Sequence, residues 1–151
     1  MLFTSAIYAY LHFVAILTLA SALGAEALLL RVPASPQTLK ALARADLLYA
    51  ISAAAVLASG LARLFLGGKP VQTYTSNPVF WTKMGLFAAV VLASLASTAR
   101  ILRWHRTSVS DIRFVPAADE WKKTRRMVFV ELHLLALVPL PAVLMARGIG
   151  L

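Results

Sequence analysis

The stretch Ser5–Leu30, SAIYAYLHFVAILTLASALGAEALLL, decides the fold. It is one apolar run in which the ionisable side chains are Tyr8, Tyr10, His12 and Glu26. At a rise of 1.5 Å per residue, a helix of about 19 residues or more nearly crosses ~30 Å of hydrocarbon. Three further stretches of the same kind follow, at about Arg44–Leu66, Val79–Leu102 and Met127–Met145. The first lacks a basic leading segment and is too long for a simple signal-peptide core, so it is expected to be retained. Ala20, Ser21 and Ala22, the one cleavage-like triplet, lie inside the run. The expected fold is all-α, an integral membrane four-helix bundle. It forms one transmembrane domain over residues 1–151, with helices at about 5–30, 44–66, 79–102 and 127–145.

Composition agrees. Of 151 residues, 60% are hydrophobic and only 14% charged, where a soluble domain carries about 25% charged. Mean hydropathy is +0.78. An ordinary cytosolic enzyme and a disordered chain are excluded. The absence of cysteine excludes disulfides, thiol catalysis and cysteine-bound iron–sulfur clusters. The net charge of +9 lies beside the apolar runs, which favours a membrane surface over nucleic acid.

The connections follow from breakers. Pro33 and Pro36 are expected to stop the first helix, and Thr38–Ala43 to lead into the second. Gly67 and Gly68 release the chain after the second, and Pro78 opens the third. The third connection, HRTSVSDIRFVPAADEWKKTRR, is read as long, with Thr107 or Asp119 capping short turns. Pro139 and Pro141 remove donors toward Leu135 and Leu137 and bend the fourth helix. Small residues at four-residue spacing, Ala54, Ala58 and Ala62, then Gly85, Ala89, Ala93 and Ser97, suggest close helix contacts.

Four crossings return both termini to one side. The other side carries eleven Lys or Arg residues and the terminal side four, Arg63, Lys69, Lys83 and Arg147. The positive-inside rule makes this a bacterial inner-membrane protein with both termini periplasmic.

Two polar groups stand out within the spans. His12, Arg63 and Lys83 share a depth in the outer half. Together they suit an anion or a cofactor carboxylate, and His12 is a candidate haem-iron ligand. The plainer alternative is that Arg63 and Lys83 snorkel to headgroups and His12 bonds a backbone carbonyl. The inner half holds Glu26, Arg44, Asp46, Arg100, Glu131 and His133, read as a buried polar network. In it Arg100 and Arg44 are the available partners of Glu131, and structural pairing stands beside a proton relay or substrate site. His12 and Glu26 lie on one stripe but ~21 Å apart. Glu131 and His133, two residues apart, cannot form a same-face metal pair. No nucleotide motif, zinc motif or Ser–His–Asp pattern is present.

The motifs YLHFVAI around His12, Glu26 late in the first helix, RADLLY at Arg44–Tyr49, GLARL around Arg63 and FWTKMGL around Lys83 carry a resemblance. The whole chain resembles a family of small four-helix bacterial predicted membrane proteins that brings no transferable chemistry. More distantly, it is similar to the four-helix membrane protoporphyrinogen oxidases and the copper-resistance membrane domain group. The matching positions are Leu11–His12 on an early helix, and Trp81, Thr82 and Lys83 on a later one. That resemblance implies haem b or a porphyrin, with His12 and Lys83 implicated; the charge of Arg63, outside the resemblance, suits a cofactor carboxylate. Two expectations stand. One is a porphyrin- or haem-binding redox protein. The other is a non-enzymatic accessory or assembly subunit, or a small transporter component. The expected surroundings are a lipid bilayer, with a membrane-protein partner or a second copy, and no nucleic acid.

Overall fold

The computed structural model describes residues 2–67 and 70–149. Gly68 and Lys69, assigned above to the second connection and the terminal-side charge, lie outside the described residues. The elements are α1 (Leu2–Leu29), α2 (Pro36–Leu66), α3 (Gln72–Thr75), α4 (Pro78–Ser110), α5 (Ala118–Leu137) and α6 (Pro139–Ala146). With α5 and α6 taken as one, four helical spans are long and apolar enough to cross a membrane. The protein is an all-α integral membrane protein, consistent with a four-helix bundle.

The helix starts are built by local chemistry. Ser35 Oγ accepts the Thr38 amide at 3.1 Å, and Pro36 occupies the first helical position. Pro36 therefore opens α2, and α1 has already ended at Leu29. The second helix starts eight residues before Arg44 because a capped segment of good helix formers, QTLKALA, precedes it. Asn77 Oδ1 accepts the Val79 amide at 2.8 Å ahead of Pro78, as the sequence led one to expect of that proline.

The third connection is short. Helix α4 runs on past Leu102 to Ser110, and α5 begins at Ala118. No Gly or Pro interrupts RILRWHRTSVS, and a specific contact holds the two helix ends together. Trp104 and Trp121 lie 5.5 Å apart between ring centres. Glu120 accepts from Trp104 Nε1 at 3.1 Å and pairs with Arg103 at 3.0 Å. Thr107 lies within α4 and bonds the Arg103 carbonyl, and Asp119 sits in the first turn of α5, so neither caps a separate helix.

At Pro139 the lost amide is replaced locally: the Val138 N–H bonds the Leu135 carbonyl at 3.1 Å. Val138 keeps helical dihedrals, φ −58° and ψ −36°, so the chain passes from α5 to α6 at this point without a loop.

Around the bundle, α1 lies against α2, α2 against α4, α4 against α5 and α6, and α5 back against α1. The faces turned inward are set by large residues at three- and four-residue steps, such as Leu19 and Leu23 on α1 or Phe87, Val90, Ile101 and Trp104 on α4. Leu17, Ile51, Leu61, Phe65, Leu92 and Leu95 face outward. Helices apolar all round are what lipid requires. The small-residue stripes form the interfaces only at their ends: Ala54, Ala58, Gly85 and Ala89 are exposed, Ala62 and Ala93 are half-buried, and Ser97 is buried. A Cβ at Gly85 would meet nothing within 4 Å. A four-residue spacing of small side chains is equally compatible with a lipid-facing surface, and the bulky positions decide the rotation.

Candidate functional site

Two polar layers lie inside the bundle, one at each end. The terminal end is fixed by Asn77, whose Nδ2 donates to the Ile149 carbonyl at 3.2 Å. Here His12 of α1, Arg63 of α2 and Lys83 of α4 line one cavity of about 330 Å³. Gly60, Tyr74, Phe80 and Met145 complete much of its wall, and among the described residues no acidic side chain lines it. The three basic groups that the sequence placed near one another thus line a single cavity.

His12 is 5% exposed, and its Nδ1 lies 2.9 Å from Ser59 Oγ. Ser59 has a single hydroxyl proton, which it directs to the backbone, with Oγ 2.6 Å from the Ala55 carbonyl and 3.2 Å from that of Val56. With that proton on the backbone, Ser59 accepts from the ring, and on this basis the neutral imidazole is assigned its proton on Nδ1 and its lone pair on Nε2. The ring also needs Gly60. A Cβ there would stand 3.3 Å from His12 Cε1. Ser59 and Gly60 escaped the sequence reading, although both precede Arg63 by about one helical turn on α2. Arg63 and Lys83 are half-buried, lie within electrostatic range of His12, and form no ion pair among the described residues.

The second layer lies about 21 Å along the axis, the rise of the fourteen residues from His12 to Glu26. Glu26 is 1% exposed, Asp46 3% and Glu131 1%. Ser97 Oγ donates to Glu131 Oε1 at 2.9 Å, and Thr98 Oγ1 to Asp46 Oδ1 at 2.6 Å. Between the layers stand Ala15, Leu19, Val56, Phe87 and Val90, all buried and apolar.

Three residues expected in this second group are elsewhere. Arg44 is exposed, since it is two residues from buried Asp46 and points away from it. His133 is exposed for the same reason relative to Glu131, and bonds the Phe129 carbonyl at 2.7 Å. Arg100 is half-buried and directed to Met127 Sδ at 3.0 Å and Thr124 Oγ1 at 3.4 Å. The expected pairing of Glu131 with Arg100 or Arg44 does not form. Among the described residues the ion pair present is Arg103–Glu120. Tyr49, Ser97 and Thr98 join the carboxylates instead. Tyr49 lies one turn beyond Asp46 on the same face of α2, a spacing that could have found it. No group of three His, Cys, Asp or Glu among the described residues could hold a metal ion.

A family described as predicted membrane proteins, DUF2214, matches residues 4–150. The chain belongs to this family. No curated protein and no solved structure matches it. The expectation of a predicted-membrane-protein family is met by this DUF2214 member. None of the matches supports the more distant resemblance to the protoporphyrinogen oxidases and the copper-resistance group.

Proposed function

We propose that this DUF2214 member binds a small anionic ligand inside the membrane, in the cavity at the terminal end. The observation that carries the reading is the lining: Arg63 and Lys83 beside His12, with no acidic side chain among the described residues. A guanidinium offers a planar fork to a carboxylate or phosphate, and an ammonium adds a second charge. Ligand cavities run from ~300 to ~1,000 Å³, so about 330 Å³ favours a small molecule.

A second reading shares the site. The Ser59 contact leaves Nε2 of His12 as a lone-pair donor, and a fixed second nitrogen is what orients metal-ligating histidines. This supports haem b or a porphyrin, with His12 on iron and Arg63 on a carboxylate. The cavity size favours the first reading. The charge asymmetry of the two ends supports a bacterial inner-membrane protein with its termini outside the cytoplasm.

One experiment separates these readings. The protein is expressed with ample haem, purified, and its spectrum recorded at neutral pH. A Soret band lost in His12→Ala but kept in His105→Ala supports haem. A colourless protein is then titrated with acetate, succinate and inorganic phosphate by calorimetry. Binding lost in both Arg63→Gln and Lys83→Gln supports the small anion. A colourless protein that binds none of the three overturns both readings and leaves the accessory or transporter-component class.

A further inference from the structure

The second layer is not explained by the cavity. It gathers three of the chain's six acidic residues, one each from α1, α2 and α5, all nearly without solvent exposure. Asp46 and Glu131 lie within electrostatic range of Glu26. The groups facing the layer can be named helix by helix. Helix α1 gives Glu26, α2 gives Asp46 and Tyr49, α5 gives Glu131, and α4 gives the hydroxyls of Ser94, Ser97 and Thr98. The nearest basic side chain on α4, Arg100, turns to Thr124 and Met127. No Lys, Arg or His forms an ion pair with any of the three carboxyls among the described residues.

Three carboxylates cannot all be ionised there. Like charges in a low-dielectric interior need an opposite charge, a metal or neutralisation. Among the described residues no basic side chain forms an ion pair with them, and no group of three His, Cys, Asp or Glu could hold a metal ion.

Ser97 donates to Oε1 of Glu131, and Oε2 of the same carboxyl is buried with no partner. In a neutral carboxyl the oxygen that accepts takes the carbonyl role, which leaves the other oxygen free to carry the acidic proton. Glu26 Oε1 is likewise buried and unpartnered. An independent observation points the same way. The hydroxyl of Tyr49, 3% exposed, lies beside Ser94 and within electrostatic range of all three carboxyls, yet makes no hydrogen bond of good geometry. A buried phenol can both donate and accept, so one left unpaired beside carboxyls is suited to exchanging a proton with them.

We propose that Glu26, Asp46 and Glu131, with Tyr49, form a proton-binding site inside the membrane, distinct from the cationic cavity. Each carboxylate that loads takes one proton from hydronium, leaves water, and loses one negative charge. The site stands whether or not the cavity binds an anion.

Infrared spectroscopy of the whole protein in lipid tests this without a ligand. The wild type at neutral pH is expected to show a protonated-carboxyl C=O stretch that shifts down in D₂O buffer, which marks exchange with solvent. Glu26→Gln, Asp46→Asn and Glu131→Gln should each remove part of that band, and Tyr49→Phe should move it without removing it. Absence of the stretch in the wild type overturns the proposal, and that measurement depends on no variant folding. A band unchanged by D₂O, or one untouched by all three carboxyl substitutions, overturns it as well. So does a band that vanishes when sodium replaces choline at fixed pH, which would assign the layer to a metal cation.

Discussion

Replacing Gly60 by Ala sets two effects of similar size against each other. Inside a helix, alanine is about 1 kcal/mol better than glycine. At this position the new Cβ stands 3.3 Å from His12 Cε1 and 3.8 Å from Nδ1. The ring must yield by a few tenths of an ångström, which lengthens the 2.9 Å contact with Ser59. A neutral hydrogen bond contributes about 1 kcal/mol net, so its weakening offsets the helix gain. Stability should therefore change by less than ~1 kcal/mol. Gly85→Ala is the control, because nothing lies within 4 Å of its Cβ. It should show the full gain of helix propensity. The assay is reversible unfolding in mixed micelles, read beside the imidazole nitrogen shifts of His12 by NMR. The expected pattern is a stabilised Gly85→Ala with unchanged His12 shifts, and a neutral Gly60→Ala with a perturbed Nδ1. A Gly60→Ala protein as stabilised as the control, with its imidazole shifts untouched, refutes the close packing of ring on helix.

Four other outcomes are expected. Asn77→Ala loses both the cap on Val79 and the bond to Ile149, and should cost about 1–2 kcal/mol in the same unfolding assay. Trp104→Ala empties a site that is 1% exposed and should cost ~3–5 kcal/mol. Pro139→Ala restores a donor to the Leu135 carbonyl, so Val138 is released and α5 and α6 should merge into one continuous helix, as amide protection of residues 138–142 would record. Single cysteines at Thr73 and Ser110 should label from opposite sides in oriented vesicles, with Ser110 on the cytoplasmic side.

Much of the fold was legible because long apolar runs have one solution in lipid. Helix ends were less so. Charged residues such as Arg44 and Arg103 looked like boundaries, but a helix continues through charges and stops where caps and prolines act, as Ser35–Pro36 and Asn77–Pro78 show. Depth along the axis was readable by counting, which is why His12, Arg63 and Lys83 meet. Rotation was not. Arg44 and His133 share a depth with the buried carboxyls and face away, and Arg100 found Thr124 and Met127 because partner choice depends on the neighbouring helix. Ser59 was missed because a serine in a span carries no charge to draw notice, and Tyr49, though quoted in a motif, was not connected to Asp46 one turn before it.

The greasy collar of Leu19, Val56, Phe87 and Val90 leaves the two polar layers in contact only through the electric field. At about 21 Å and an effective dielectric of ~20, one unit charge is felt across it at about 0.8 kcal/mol, close to a fourfold change in an equilibrium. The sign is fixed by geometry. Each proton that neutralises a carboxylate removes a repulsion from any anion at the far end. Thermodynamic reciprocity then makes the two arrivals favour one another, with no moving part between them.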